Sequence, residues 1–276
     1  MSATPGRTTR DLRLDGLRGL LLVIMALNHI TTDLRVFTEH PLGFVSAAEG
    51  FVFLAGLVAG FVFTRRRLRD GAKAAQTAAW RRARTIYWAH LGLLAFVCAW
   101  VVGFKAIAGT PPGNAPDLLL ISPVAGLLAG PFLMYQPPLL DILPLYTGFM
   151  LLLPALLAAY ARGHRATVVG ASFGLWALTN ALISVDLSQP GLFFTGAFNP
   201  FAWQLLFVVG SALGDAWARG ETAVRADRPG LVAAALAISI GCFLVRHAFV
   251  PSFVPGAVLQ TLENKNILAP LRLLNL

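Results

Sequence analysis

The chain of 276 residues is 57% hydrophobic and only 13% charged, and its mean hydropathy is +0.69. Soluble domains carry roughly a quarter charged residues, so this composition excludes an ordinary soluble domain. It predicts an all-α, polytopic transmembrane helical bundle. The formal net charge of +9 does not indicate a nucleic-acid partner, because the lysines and arginines cluster in short stretches between apolar runs, as the positive-inside rule describes.

The apolar runs predict about seven spanning helices, preceded by a polar N-terminus, 1–11, that we expect to be disordered and cytoplasmic. The run 118–138 is apolar but is broken by Pro123 and Pro131, so we expect it to be interfacial or re-entrant. Residues 250–276 contain three prolines and end on an apolar fragment that looks like the start of another helix. The predicted spans are 12–31, 46–64, 85–104, 139–160, 166–184, 200–218 and 230–249.

The orientation of the bundle follows from its basic stretches. The densest of them, 65–84, is expected to form a cytoplasmic loop, which makes the first helix run from the cytoplasm outward. The basic loops 162–165 and 219–229 then also fall on the cytoplasmic side. We therefore predict a multi-pass protein with its N-terminus in the cytoplasm.

The two cysteines and the glycine pairs have structural interpretations. Cys98 and Cys242 lie inside apolar runs, which is typical of small buried hydrophobic residues. The spacing of cysteine and histidine matches no metal site, so neither a metal nor a resident cofactor is expected.

Small residues four apart let helices approach closely, and packing within the bundle is favoured over a dimer face. The pairs are Gly56/Gly60, Gly126/Gly130, Gly170/Gly174 and Gly210/Gly214.

The first predicted helix carries polar residues along one line of an otherwise apolar surface. Arg18 and His29 are eleven positions apart. On a helix this places them about 20° apart around the axis and about 16 Å apart along it. Asp15 lies near the same line and is spaced from Arg18 for an ion pair. One interpretation is that His29 bonds a neighbouring helix; the other, which we favour, is that the line faces a cavity where Arg18 binds an anion and His29 acts as a base.

Five blocks of the chain resemble the OpgC family, whose members are bacterial inner-membrane proteins that succinylate osmoregulated periplasmic glucans, within the acyltransferase-3 superfamily. The resemblance runs in register from residue 10 to the C-terminus and includes an Arg-x10-His pattern on the first helix. The blocks are RDLRLDGLRGLLLVIMALNH (10–29), AAEGFVFLAGLVAGFVF (47–63), LLDILPLYTGFMLLLPAL (139–156), FNPFAWQLLFVVGSALG (198–214) and KNILAPLRLLNL (265–276).

The resemblance implies a coenzyme A thioester as donor, with Arg18 as the donor-associated arginine and His29 as the catalytic histidine. Ala55 stands where the family commonly has a serine. Family members usually have about ten spanning helices, so residues 12–276 are expected to form a transmembrane acyltransferase domain that lacks the last ones. The remaining candidates for donor binding are Asp15 and a loose match to a two-arginine motif, Arg81, Arg82 and Arg84.

Four further residues are candidates for binding or orienting the acceptor sugar. Glu49 could orient His29 or could snorkel to the interface. Asp141 could favour a helix dipole or belong to the sugar site, since it lies in a family block. Trp203 could anchor the chain at the interface or, with Gln204, line a saccharide cleft.

The sequence thus predicts an integral-membrane O-acyltransferase (an O-succinyltransferase, in the class transferring groups other than amino-acyl) of the bacterial inner membrane. Its expected partners are succinyl-CoA or acetyl-CoA, a glucan or another polysaccharide acceptor, and membrane lipid, without nucleic acid. A ternary complex and an acyl-histidine intermediate both remain open. The alternatives are a transporter or exporter of an anionic or lipid-linked saccharide, an O-acetyltransferase of another envelope polysaccharide, and a truncated, inactive relative.

Overall fold

The computed structural model describes residues 12–30, 38, 43–110, 123–133, 140–183, 198–221, 229–247 and 261–276. All regular structure in this part of the chain is helical, so the predicted all-α class is confirmed. The predictions for 1–11, and for most of the connections between the helices, lie outside the described residues. The α-helices are α1 (Leu12–Asn28), α2 (Ala47–Asp70), α3 (Ala72–Ala108), α4 (Pro123–Ala129), α5 (Ile142–Ala161), α6 (Arg165–Ile183), α7 (Pro200–Ala218), α8 (Pro229–Arg246) and α9 (Pro270–Leu274).

Helices α2 and α7 form the centre of the bundle and run parallel to each other. A Cβ added at Gly56 would lie 2.4 Å from the carbonyl oxygen of Phe207, and one at Gly60 would lie 2.2 Å from that of Ser211. The partner glycines meet α2 in the same way: a Cβ added at Gly214 would lie 2.1 Å from the carbonyl oxygen of Leu57. Two of the four predicted glycine pairs therefore pack inside the bundle, as expected for small residues at helix crossings.

Helix α3 packs on α5 through a line of small residues. Ala75, Ala79 and Ala83 are each at most 4% exposed and recur every four residues, which places them on one face of the helix. Further along, α3 packs against the short helical segment 123–132: a Cβ added at Gly130 would overlap Leu94, and the hydroxyl of Tyr87 donates to the carbonyl oxygen of Pro131 at 2.8 Å. At seven residues, α4 is too short to cross a membrane.

The basic stretch 65–84, predicted as a loop, is helical except at Gly71. Helix α2 continues to Asp70 and α3 begins at Ala72. Arginine, lysine, glutamine and alanine are all good helix formers, so the composition of this stretch extends both helices. Gly71 makes the turn with a φ of +88°, a conformation that favours glycine.

Four of the described helices, α2, α3, α5 and α7, are long and apolar enough to cross a membrane. The protein is therefore a helical membrane bundle. Helix α1 has 17 residues, and the apolar part of α8, Val232–Arg246, is also shorter than a typical span. The count of seven spans stays a prediction for the remaining helices.

Candidate functional site

Helix α1 lies against the beginning of α2. A Cβ added at Gly50 would be 3.3 Å from Cδ1 of Leu21, and the Arg18 guanidinium lies over the ring of Phe51, 5.8 Å from its centroid. None of the residues of α1 is fully buried. The arginine is thus held at the level of the first turn of α2 by a cation–π contact.

The Arg18 side chain retains hydrogen-bonding capacity that the described residues do not use. Its Nε is buried and has no hydrogen-bond partner among them. A buried, unsatisfied donor is costly, and an arginine fork matches carboxylate and phosphate groups in particular. Arg18 therefore has the geometry of a residue that receives an anion.

His29 lies just beyond the end of α1 rather than inside it. The helix ends at Asn28, not at residue 31 as predicted, and the last turn tightens so that the backbone amide of His29 donates to the carbonyl oxygen of Ala26 at 3.1 Å. The residue is exposed. His29 therefore stands at the helix terminus, accessible from outside the bundle.

A small apolar crevice opens on the other side of Phe51. It encloses only about 10 Å³ and is lined by side chains of α2, α5 and α7, among them Ala55, Tyr146 and Phe207. Ala55 is the position where the resemblance leads one to expect a serine, so no hydroxyl projects from it here. The wall beside the Arg18–Phe51 contact is therefore apolar, and the crevice is smaller than a ligand site.

The cluster Arg81, Arg82 and Arg84 lies on α3 and not on the helix that carries Arg18. All three side chains are exposed and lie outside the line of buried alanines of α3. The structure shows no hydrogen bond or ion pair between these arginines and Arg18 or Asp15 in the described part of the chain. The predicted donor-binding residues thus form two separate groups.

Glu49 has partners that the sequence did not suggest. It is completely buried; its Oε1 accepts from Nη1 of Arg272 at 2.6 Å, and its Oε2 accepts from the amide and hydroxyl of Ser46 at 2.9 and 2.5 Å. Both oxygens are engaged, so Glu49 does not snorkel to an interface. Its contacts join the start of α2 to α9, 223 residues later.

The other acceptor candidates are buried as well. Trp203 is 0% exposed and its indole donates to the carbonyl oxygens of Lys265 and Asn266 at 2.9 and 3.1 Å. It is therefore neither an interfacial anchor nor the wall of an open cleft. Gln204 uses its amide within the packing of α6 against α7, accepting from Ser172 Oγ at 2.6 Å and donating to the Ser172 carbonyl at 2.9 Å.

Asp141 immediately precedes α5 and is 4% exposed. Its carbonyl oxygen accepts from the amide of Leu145 at 3.4 Å, at the first turn of the helix. This position agrees with the interpretation that the carboxylate complements a helix N-terminus. Because Asp141 is buried, its side chain is not accessible to a sugar.

An ion network that the sequence did not indicate joins the end of α2, the beginning of α6 and the end of α7. Asp215 is 0% exposed and accepts from Thr64 Oγ1 at 2.7 Å, Arg165 Nη2 at 2.6 Å and Arg219 Nε at 3.1 Å. Arg165 also pairs with Glu221 at 2.6 Å, and its donation lowers the pKa of that carboxyl. The i, i+4 spacing of Asp215 and Arg219 was the available signal.

The apolar helices and the partly buried arginine define a helical membrane protein with a candidate site for an anionic ligand. The chain belongs to the OpgC protein family, whose model matches residues 10–276. Membership supports involvement in the modification of periplasmic glucans, and thereby a transferase. Neither a curated protein nor a solved structure matches the chain.

Proposed function

We propose that the protein is an O-acyltransferase of the bacterial inner membrane that moves a succinyl group from succinyl-CoA to a hydroxyl of a periplasmic glucan. The observation that carries the proposal is the placement of Arg18, whose buried, unpartnered Nε lies beside Phe51, near an apolar crevice. The same helix presents His29, exposed, at its end. An anion-binding group, an apolar wall beside it and a base are three parts that transfer of an anionic acyl group needs.

In the proposed reaction, His29 accepts the proton of a sugar hydroxyl as the oxygen attacks the thioester carbonyl carbon. The C–O bond forms, the C–S bond breaks, and the coenzyme A thiolate leaves and takes up the proton from the imidazolium. Arg18 holds an anionic group of the donor, and Arg81, Arg82 and Arg84 attract its phosphates from the cytoplasmic side, because basic surfaces steer anions. The reaction needs neither metal nor cofactor.

The test is the release of free thiol from succinyl-CoA by purified protein in the presence of glucan. Without the general base, His29→Ala should lower kcat by about 10²–10⁴-fold and leave donor binding unchanged. Arg18→Gln should instead raise KM for the donor, because the anion contact is lost. Arg13→Gln is the matched control, since it removes a positive charge from the exposed start of the same helix.

Other outcomes distinguish the competing functions. If the His29→Ala variant released thiol at the wild-type rate, the role of His29 as general base would be wrong. Uptake of saccharide into vesicles without thiol release by folded protein would favour a transporter. A faster reaction with acetyl-CoA than with succinyl-CoA would identify an O-acetyltransferase, and a burst of one thiol per protein without acceptor would identify the acyl-histidine route.

A further inference from the structure

A second recess lies away from α1, between the end of α2, the beginning of α3 and the second half of α5. It encloses about 410 Å³, which is within the range of ligand sites. One end is lined by Arg67, Arg162 and Gln76, and the other by Trp80 and Leu151. We refer to it as the cytoplasmic groove, because both arginines belong to basic segments predicted to lie in the cytoplasm.

The polar end of the cytoplasmic groove carries two positive charges without a counter-charge. No carboxylate is among the residues that line it. The Arg67 and Arg162 side chains form no hydrogen bond or ion pair in the described part of the chain, unlike Arg66, Arg69, Arg165 and Arg219, which all have carboxylate partners. The Gln76 amide also has no partner there. The groove therefore offers charged donors to an anion and no carboxylate to a cation.

The other end of the groove is apolar and opens toward the outside of the bundle. Trp80 and Leu151 are 49% and 52% exposed, and the indole Nε1 donates to the Leu151 carbonyl oxygen at 3.4 Å, which ties α3 to α5. Between the two ends the wall consists of small residues, including Ala79, Ala155 and Ala158. Leu151 and Arg162, the residue that follows α5, are eleven positions apart, which corresponds to about 16 Å along a helix.

A basic end, a smooth wall of small residues and an exposed tryptophan match the layout of a phospholipid with a negatively charged head group. Basic pockets between transmembrane helices on the cytoplasmic side bind such head groups, and tryptophan favours the level of the membrane interface. We infer that the cytoplasmic groove binds an anionic phospholipid, with its phosphate between Arg67 and Arg162 and an acyl chain lying along the alanines past Trp80.

The test compares binding of phosphatidylglycerol and phosphatidylcholine to the purified protein by native mass spectrometry. Each basic residue near the membrane surface contributes about fivefold to binding of an anionic lipid. Arg67→Gln combined with Arg162→Gln should therefore weaken retention of phosphatidylglycerol by about 30-fold and leave that of phosphatidylcholine unchanged. The matched control, Arg66→Gln with Lys73→Gln, removes two charges from the same exposed region outside the groove and should change retention by less than about threefold.

A second measurement locates the acyl chain independently of charge. Phosphatidylglycerol with brominated chains should quench the fluorescence of the wild-type protein, and Trp80→Phe should remove the phosphatidylglycerol-dependent part of the quenching. Equal retention by the Arg67/Arg162 variant and the wild type, or equal retention of the two lipids, would overturn the proposal. Displacement of phosphatidylglycerol by free coenzyme A would also overturn it and would assign the groove to the donor.

Discussion

The Glu49 carboxylate is fully buried at the first turn of α2, where Ser46 and Arg272 occupy both of its oxygens. The half of this arrangement formed by Ser46 and Glu49 has a local signature, because serine followed three residues later by glutamate is typical of a helix start. The other half could not be predicted, since Arg272 is 223 residues away and sequence spacing gives no information on such a contact.

Breaking this buried pair should be costly. Arg272→Met leaves a buried carboxylate without its counter-charge, so we expect the free energy of unfolding to fall by about 3–5 kcal/mol. Thermal unfolding in detergent measures the change. The exposed pair Arg66–Asp70, at 3.7 Å, provides the control: Arg66→Met should cost no more than about 1 kcal/mol.

The double variant Glu49→Gln with Arg272→Met separates the contact from the loss of a side chain. Because it leaves no unpaired charge, it should be more stable than Arg272→Met alone. If the two single changes simply add in the double variant, the two residues do not interact as the structure describes.

At the scale of elements, the sequence predicted most helices but not the partners of each. The glycine pairs indicated close helix crossings, yet all four looked alike in the sequence. Only the structure distinguishes Gly60, which lies against the backbone of α7, from Gly170, beside which an added Cβ would meet nothing within 4 Å. Helix ends were less predictable at the basic stretch, because charge was taken as a sign of a loop although arginine and alanine favour helix.

The two kinds of glycine should respond oppositely to alanine. In Gly60→Ala the new Cβ would lie 2.2 Å from the carbonyl oxygen of Ser211, so α2 and α7 must separate, at a cost of about 1–3 kcal/mol. Gly170→Ala makes no such contact and should gain up to about 1 kcal/mol in helix propensity. Unfolding midpoints of the two variants check this; a lower midpoint for Gly170→Ala than for Gly60→Ala would contradict the packing described.

At the scale of the whole molecule, Asp215 joins three helices through Thr64 of α2, Arg165 of α6 and Arg219 beyond the end of α7. Composition and charge predicted a membrane bundle and the side on which its basic ends lie. They could not show that a buried carboxylate would bind side chains from these ends. Two of its partners, Arg165 and Thr64, lie 50 and 151 residues away in sequence.

Asp215→Asn should therefore loosen the bundle as a whole. Loss of the charge leaves Arg165 and Arg219 facing a neutral amide, and we expect a loss of about 3 kcal/mol in the free energy of unfolding. Glu221→Gln touches the same Arg165 but removes an exposed partner, 49% accessible, and should cost no more than about 1 kcal/mol. Limited proteolysis together with thermal unfolding measures both. A cost for Glu221→Gln equal to that for Asp215→Asn would show that burial of Asp215 has no special effect.

The pairing of Glu49 with Arg272 has a consequence for biosynthesis. Ribosomes add roughly 5–20 residues per second, so the 223 residues between the two partners take about 10–45 seconds to emerge. During that delay the Glu49 side chain lacks Arg272, its ion-pair partner in the folded structure. The packing at the start of α2 is therefore completed only after residues 261–276 have been synthesised and have docked.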